Sequence, residues 1–220
     1  MITVDLRLNA IIDPAVAGGH DIVDLARRVA AGGATLVQLR DKHGQTGAMV
    51  REARAIKAAL APFNVPLVVN DRVDVALAAG ADGVHIGLED MAVTDARRLL
   101  GPAAIIGLSI SSITEAEAAP VECIDYTGIG NIYVTATKEQ AKPPIGPEGF
   151  ARIAAVLRQR APGMPACGIA GINADNAGAV IAHGADGVAV ISALSLTSDP
   201  AGAARALREI VDGMLAKRGT

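Results

Sequence analysis

Tryptophan is absent from this 220-residue chain, and phenylalanine and tyrosine occur twice each. A core without aromatic bulk is filled by Ala, Val, Ile and Leu, which suits helices packed on a parallel sheet better than a β-sandwich. Only two cysteines are present, Cys123 and Cys167, far apart and with no CxxC spacing or companion histidine pair. That argues against a disulfide framework or a zinc site, and for two small buried thiols in a reduced, cytoplasmic protein. No apolar run approaches the roughly 18 residues of a membrane span. Asp5 and Arg7 interrupt "MITVDLRLNAIID" where a signal peptide would be apolar. A strong excess of one charge sign is also missing. With a net charge of -3, bulk electrostatics draws the chain neither to nucleic acid nor to an anionic membrane.

What is present is an alternation. Short, β-branched, nearly all-apolar runs read as strands buried on both faces: Leu8–Ile12, Thr35–Leu39, Leu67–Val69, Gly83–Ile86, Ile105–Leu108, Ile124–Thr127, Ala166–Ile169 and Gly187–Val190. Between them lie helical patterns at Asp21–Ala31, Thr46–Ala61, Val73–Ala79, Val93–Leu100, Thr114–Ala118, Glu148–Arg160, Ala174–Ala182 and Pro200–Ala216. "AAGADGVHI" (Ala78–Ile86) and "AHGADGVAV" (Ala182–Val190) echo one another, with a looser copy in "AAGGATLVQL", so one αβ unit is reused along the chain. These units fit a single (β/α)8 barrel over residues 1–220, a TIM barrel with parallel strands and little room for a second domain. A doubly wound open sheet is the alternative, but no Gly-rich dinucleotide fingerprint supports it.

In such a barrel the chemistry belongs just past the C-terminal end of each strand, and polar residues collect there. Gln38, Arg40 and Lys42 fall on one side by strand alternation, and two cations with an amide suit a polyanion. A solvated loop with an Arg40–Asp41 salt bridge is the competing account. Asp71 and Asp90 leave adjacent strands, so their carboxylates can share magnesium, which takes one or two carboxylates plus phosphate oxygens. Either acid would serve as well as a helix cap, before Val73 and Val93, and spacing leaves both accounts open. The loop after the sixth strand offers a Gly-rich turn, "TGIGN", then Thr135, Thr137 and Lys138, a phosphate cradle of hydroxyls, N–H groups and an ammonium. The glycines of "CGIAGI", a helix starting near Ala174 and the segment after the last strand add N–H donors to a second anion site. His85 on its buried strand is read as structural, without a proton-transfer role.

The motifs "VQLRDK", "VVNDRVDVALAAGADGVHIGLED", "IIGLS", "GIGNIYVTATK", "GIAGI" and "GADGVAVISAL" closely resemble, in order and over nearly the whole chain, the thiamine-phosphate synthase family. The resemblance implies a transferase joining a hydroxymethylpyrimidine diphosphate to a thiazole monophosphate, releasing pyrophosphate. It implies Gln38, Leu39, Arg40, Asp41, Lys42, Asn70, Ser109 and Lys138 on the pyrimidine diphosphate, with Arg40, Lys42, Ser109 and Lys138 as the catalytic set. It implies one magnesium ion per active site on Asp71 and Asp90, and Thr135, Ala136, Thr137, Gly171, Ile191 and Ser192 around the thiazole phosphate. The implied partners are these small molecules, with a homo-oligomer left open. A same-fold relative that tautomerises a thiazole carboxylate phosphate would lack the clamp and the metal acids. A non-catalytic barrel that holds thiamine precursors would be separated from the synthase by assay. The chain departs from the family in having Leu88 where Gln is usual, Asn131 where Pro is common, "GIAGI" for "GIGGI", and no Tyr in its first strand.

Overall fold

The strands β1 (Leu8–Ile12), β2 (Leu36–Leu39), β3 (Leu67–Asn70), β4 (Gly83–Ile86), β5 (Ile105–Ile110), β6 (Tyr126–Ile129), β7 (Ala166–Ile169) and β8 (Gly187–Val190) pair in chain order, all parallel. Leu8 of β1 stands opposite Val188 of β8, which closes the sheet into a barrel and excludes the open alternative. The structure, a computed structural model, describes residues 4–135 and 143–219. Helices α1 (Ile22–Ala31), α2 (Thr46–Leu60), α3 (Val73–Ala79), α4 (Val93–Leu100), α5 (Ile113–Ala118), α6 (Gly146–Arg160), α7 (Ala177–Ala182), α8 (Ser192–Ser195) and α9 (Pro200–Arg218) surround it. No helix among the described residues is long and apolar enough to cross a membrane.

Strand alternation divides the apolar residues between two compartments. Leu8, Ala10, Ile12, Val37, Leu39 and Val69 face the helices in the larger core. Leu36, Val68, Ile105, Tyr126, Cys167 and Ala189 fill the barrel itself. Both cysteines are free; burial pushes the Cys167 thiol up to about 12, whereas Cys123 is only half-buried rather than enclosed as expected. Most element ends shift by one or two residues from the sequence reading, and three differences go further. Strand β6 begins at Tyr126 rather than Ile124, so Thr127, Gly128 and Ile129 of the supposed turn are strand. Helix α7 begins at Ala177, because Asn173 and Asn176 hold the preceding segment as a turn: the Asn173 N–H donates to Asn176 Oδ1 and the Asp175 N–H to Asn173 Oδ1. Helix α8 had no counterpart in the sequence pattern.

The shift of β6 has a physical cause, and it extends the repeat to a fourth copy. Asp82, before β4, accepts the Leu67 N–H of β3 and pairs with Lys57 of α2. Asp186, before β8, accepts the Ala166 N–H of β7 and pairs with Arg158 of α6. Asp125, before β6, accepts the Ile106 N–H of β5 at 2.9 Å and pairs with Arg97 of α4 at 2.6 Å. In the first quarter Thr35 plays the part, its Oγ1 accepting the Leu8 N–H while Arg208 of α9 donates to the Gly33 carbonyl. Each device fastens an even strand to the strand before it at the N-terminal end of the barrel. In barrels of this kind the chemistry stands at the other end. Asp125→Ala leaves the Ile106 N–H without its acceptor and takes the carboxylate from Arg97, which keeps its bonds to the Cys123, Gly101 and Ala104 carbonyls, so we expect it to cost about 3 kcal/mol in chemical denaturation.

Candidate active site

Four polar side chains line the mouth of the barrel interior. Gln38 of β2, with Ile11 and Val68 as its register partners, is 2% exposed. Asn70 ends β3 beside His85 of β4, and Ser109 of β5 follows one step around the ring. The His85 ring spans two of them: Nε2 lies 2.9 Å from Ser109 Oγ, and Nδ1 lies 3.0 Å from the Tyr126 hydroxyl deeper in the barrel. Gly107 makes this possible, since a β-carbon there would collide with the Tyr126 ring and stand 2.5 Å from His85 Nδ1.

The charged groups stand one step further out. Arg40 follows β2 and forms an ion pair with Asp13, which follows β1 and is 2% exposed. The Asp13 carboxylate also accepts the Ala15 N–H at 2.9 Å, so it is anchored and fixes the guanidinium in turn. Asp41 does not pair with Arg40. Its Oδ1 accepts the His43 and Gly44 N–H groups and closes the loop that carries Lys42. Lys42 reaches over to Asp71, with its ammonium on the carboxylate. Asp13 was not singled out in the sequence, although it stands just past a strand end, the position that marked the other candidates.

Asp71 adopts the left-handed backbone region, φ +61°, and its N–H donates to the His85 carbonyl at 2.8 Å. This posture does not cap α3, whose N-cap is Arg72 with no side-chain bond. Nor does Asp90 cap α4; its Oδ2 accepts the Gly87 N–H at 2.8 Å within its own loop. Asp90 stands close enough to act on the Asp71 carboxyl. Burial pushes the Asp71 carboxyl above the usual range; Lys42 opposes the shift, and Asp90 adds to it. Such a pair calls for a cation, and the Lys42 ammonium stands in for one. Two carboxylates suit magnesium, which completes its shell with water and phosphate oxygens. No cluster of three or more acidic, His or Cys ligands occurs among the described residues, so a cage made entirely of protein ligands is not offered there.

On the far side of the mouth, the segment after β6 runs along the end of β7. The Ile132 N–H donates to Ile169 O at 2.9 Å and the Tyr133 N–H to Ala170 O at 3.1 Å, which leads the chain to a half-buried Thr135. Gly171 has φ +68°, and a β-carbon on it would lie 2.5 Å from Val134 O, so the two loops meet at bare backbone. Ala170 shares the positive φ, at +77°. Ile169 and Ala189 are register partners, so Gly171 and Ile191 each stand two residues past the same rung, with exposed Ser192 next. Ala136, Thr137 and Lys138 lie outside the described residues.

A closed parallel barrel that gathers paired acids, clamped cations and open backbone at its C-terminal mouth belongs to the class of barrel enzymes that handle phosphate esters. Known proteins make the class specific. The family described as thiamine monophosphate synthase matches residues 8–194. The thiamine-phosphate synthase of Agrobacterium fabrum is 48% identical over 215 residues, covering 98% of each chain. That of Moorella thermoacetica is 46% identical over 204 residues, 93% of this chain and 95% of its own. Among solved structures, a thiamine phosphate pyrophosphorylase from Pyrococcus furiosus superposes with a TM-score of 0.84 at 36% identity, over 96% of this chain and 98% of that one. The chain belongs to the thiamine monophosphate synthase family.

Proposed function

We propose that the chain is a transferase that condenses hydroxymethylpyrimidine diphosphate with thiazole monophosphate, in its plain or carboxylate form, to give thiamine phosphate and pyrophosphate. The observation that carries the reading is the Asp71–Asp90 pair with Lys42 lodged on it, beside an Arg40 held by Asp13. A carboxylate pair next to two cations suits a diphosphate that arrives with a divalent metal.

Arg40 and Lys42, with Lys138 on the strength of the resemblance, place positive charge where the diphosphate departs, an electrostatic contribution that commonly dominates catalysis. Asp71 and Asp90 would hold one magnesium ion, which when bound neutralises diphosphate oxygens and makes pyrophosphate a better leaving group. The methylene–oxygen bond breaks with its electron pair going to pyrophosphate. The thiazole nitrogen then gives its lone pair to that methylene carbon. The aminopyrimidine ring delocalises the charge in between, so neither a protein nucleophile nor a general base is needed. Gln38, Asn70 and Ser109 orient the ring. Thr135, Ala136, Thr137, Gly171, Ile191 and Ser192 hold the thiazole phosphate, so that proximity supplies much of the remaining rate. Leu39, sealed into the helix-side core, fixes the strand that presents Gln38 and Arg40, and Asp41 shapes the loop that presents Lys42. The same reading places the enzyme in the cytoplasm, among small phosphorylated substrates.

Incubation with both substrates tests it. Thiamine phosphate and an equal amount of pyrophosphate are expected with magnesium and neither after chelation. Binding of both substrates without product would overturn the reading in favour of a non-catalytic precursor-binding barrel.

A further inference from the structure

The chain from Tyr126 through His85 to Ser109 runs up the middle of the barrel, and its hydrogens can be counted. Tyr126 is fully buried, among Leu36, Val68, Ile105 and the weakly accepting Cys167 sulfur. Among the described residues its hydroxyl has one hydrogen-bond partner, His85 Nδ1. Burial pushes that hydroxyl well above the usual phenol range, so it keeps its proton. Were Nδ1 protonated, two hydrogens would meet and the buried Tyr126 hydrogen would lack a good acceptor, a costly arrangement. The hydroxyl therefore donates to Nδ1. The ring proton then resides on Nε2, which donates to Ser109 Oγ. An oxygen that already accepts from Nε2 has its own hydrogen left for the mouth.

We infer that Tyr126 and His85 are positioning residues that fix the direction of the Ser109 hydroxyl, so that it donates to a ring nitrogen of the aminopyrimidine. The inference rests on the proposed function for the identity of the acceptor, but not for the tautomer. A ring nitrogen fits better than a phosphate oxygen: Gln38, Asn70 and Ser109 form an uncharged ring, while Arg40 and Lys42 stand further out. A fixed donor of this kind discriminates by leaving a polar group unpaired against any ring that lacks the acceptor. The sequence reading of His85 as structural is deepened, since the ring transfers no proton yet dictates what its neighbour presents.

Nitrogen-15 NMR of the four histidines tests the tautomer without any substrate, the His85 signals being assigned by their loss in His85→Gln. The expected result is a proton on Nε2 and none on Nδ1, with the preference weakened in Tyr126→Phe. Kinetically, Tyr126→Phe should raise KM for the pyrimidine diphosphate about tenfold, the size of one net hydrogen bond. KM for the thiazole phosphate and inhibition by inorganic pyrophosphate should stay as in wild type. His85→Gln, which keeps a donor facing Ser109, should retain more activity than His85→Leu. A proton on Nδ1 in the wild-type protein overturns the inference whether or not the chain makes thiamine phosphate. So does a parallel rise in the pyrophosphate inhibition constant, which would move the Ser109 contact to the diphosphate.

Discussion

Asp71→Asn is expected to slow turnover by about three orders of magnitude, ~4 kcal/mol of lost charge stabilisation, while the metal-free protein melts higher than wild type. Both effects come from the same carboxylate. In the wild-type chain Asp71 is 17% exposed, is crowded by Asp90 and titrates above the usual range, so its charged form is held at a cost to the fold. Asparagine removes that charge and is suited to the left-handed backbone at this position, φ +61°. Alanine would add strain there and blur the comparison. Lys42 loses its partner but is 44% exposed and returns to water. A rise of about 2–4 °C in melting temperature corresponds to roughly 1 kcal/mol in a chain of this size. Magnesium should stabilise the wild type by mass action and leave the variant unmoved. Calorimetry with and without the metal, beside a turnover assay, reads all three. A variant that melts lower in metal-free buffer, or turns over normally, contradicts the assignment.

Arg40→Met is expected to damage the fold and the reaction together. Asp13 is 2% exposed, and removing its partner leaves a buried carboxylate whose remaining described bond is to the Ala15 N–H. Breaking a buried pair from one side costs about 3–5 kcal/mol. Asp13→Asn added to Arg40→Met removes the stranded charge and still offers an oxygen to the Ala15 N–H, so denaturation should show much of the stability restored. Activity should not return with it, because the guanidinium is still missing from the diphosphate. Asp13→Asn alone should raise KM for the pyrimidine diphosphate and leave the thiazole phosphate unaffected, since Arg40 is then present but no longer held in place. Full activity in the doubly substituted protein would show that Arg40 serves the fold alone.

The strands and most helices were legible because each buried run is bounded by its own local signal. Asp21 caps α1 by accepting from Val23 N and Asp24 N, and Gly80 ends α3 at φ +67°. Strand β6 was misplaced because Ile124 is as apolar as the strand itself. What sets its start is the bond of Asp125 to the Ile106 N–H, a contact between segments that no local pattern announces. The fourth copy of the repeat hid for the same reason: Asp125 does the job of Asp82 and Asp186, but in local sequence that does not resemble theirs. Within the candidate site, Arg40, Lys42, Asp71 and Asp90 were picked out by the rule that barrel chemistry stands past strand ends. The Arg40–Asp13 pair and the His85–Tyr126 bond join residues 27 and 41 positions apart and could be seen only once the barrel was closed.

A structure with magnesium, inorganic pyrophosphate and the thiazole phosphate bound together tests the whole arrangement at once. The metal should sit on Asp71 and Asp90, Lys42 should have left Asp71 for the pyrophosphate, and Arg40 should touch the same anion while still held by Asp13. The thiazole phosphate should lie against Gly171 and Ser192. Pyrophosphate bound at the end of the barrel that carries Asp82, Asp125 and Asp186, or a metal that ignores Asp71, would contradict it.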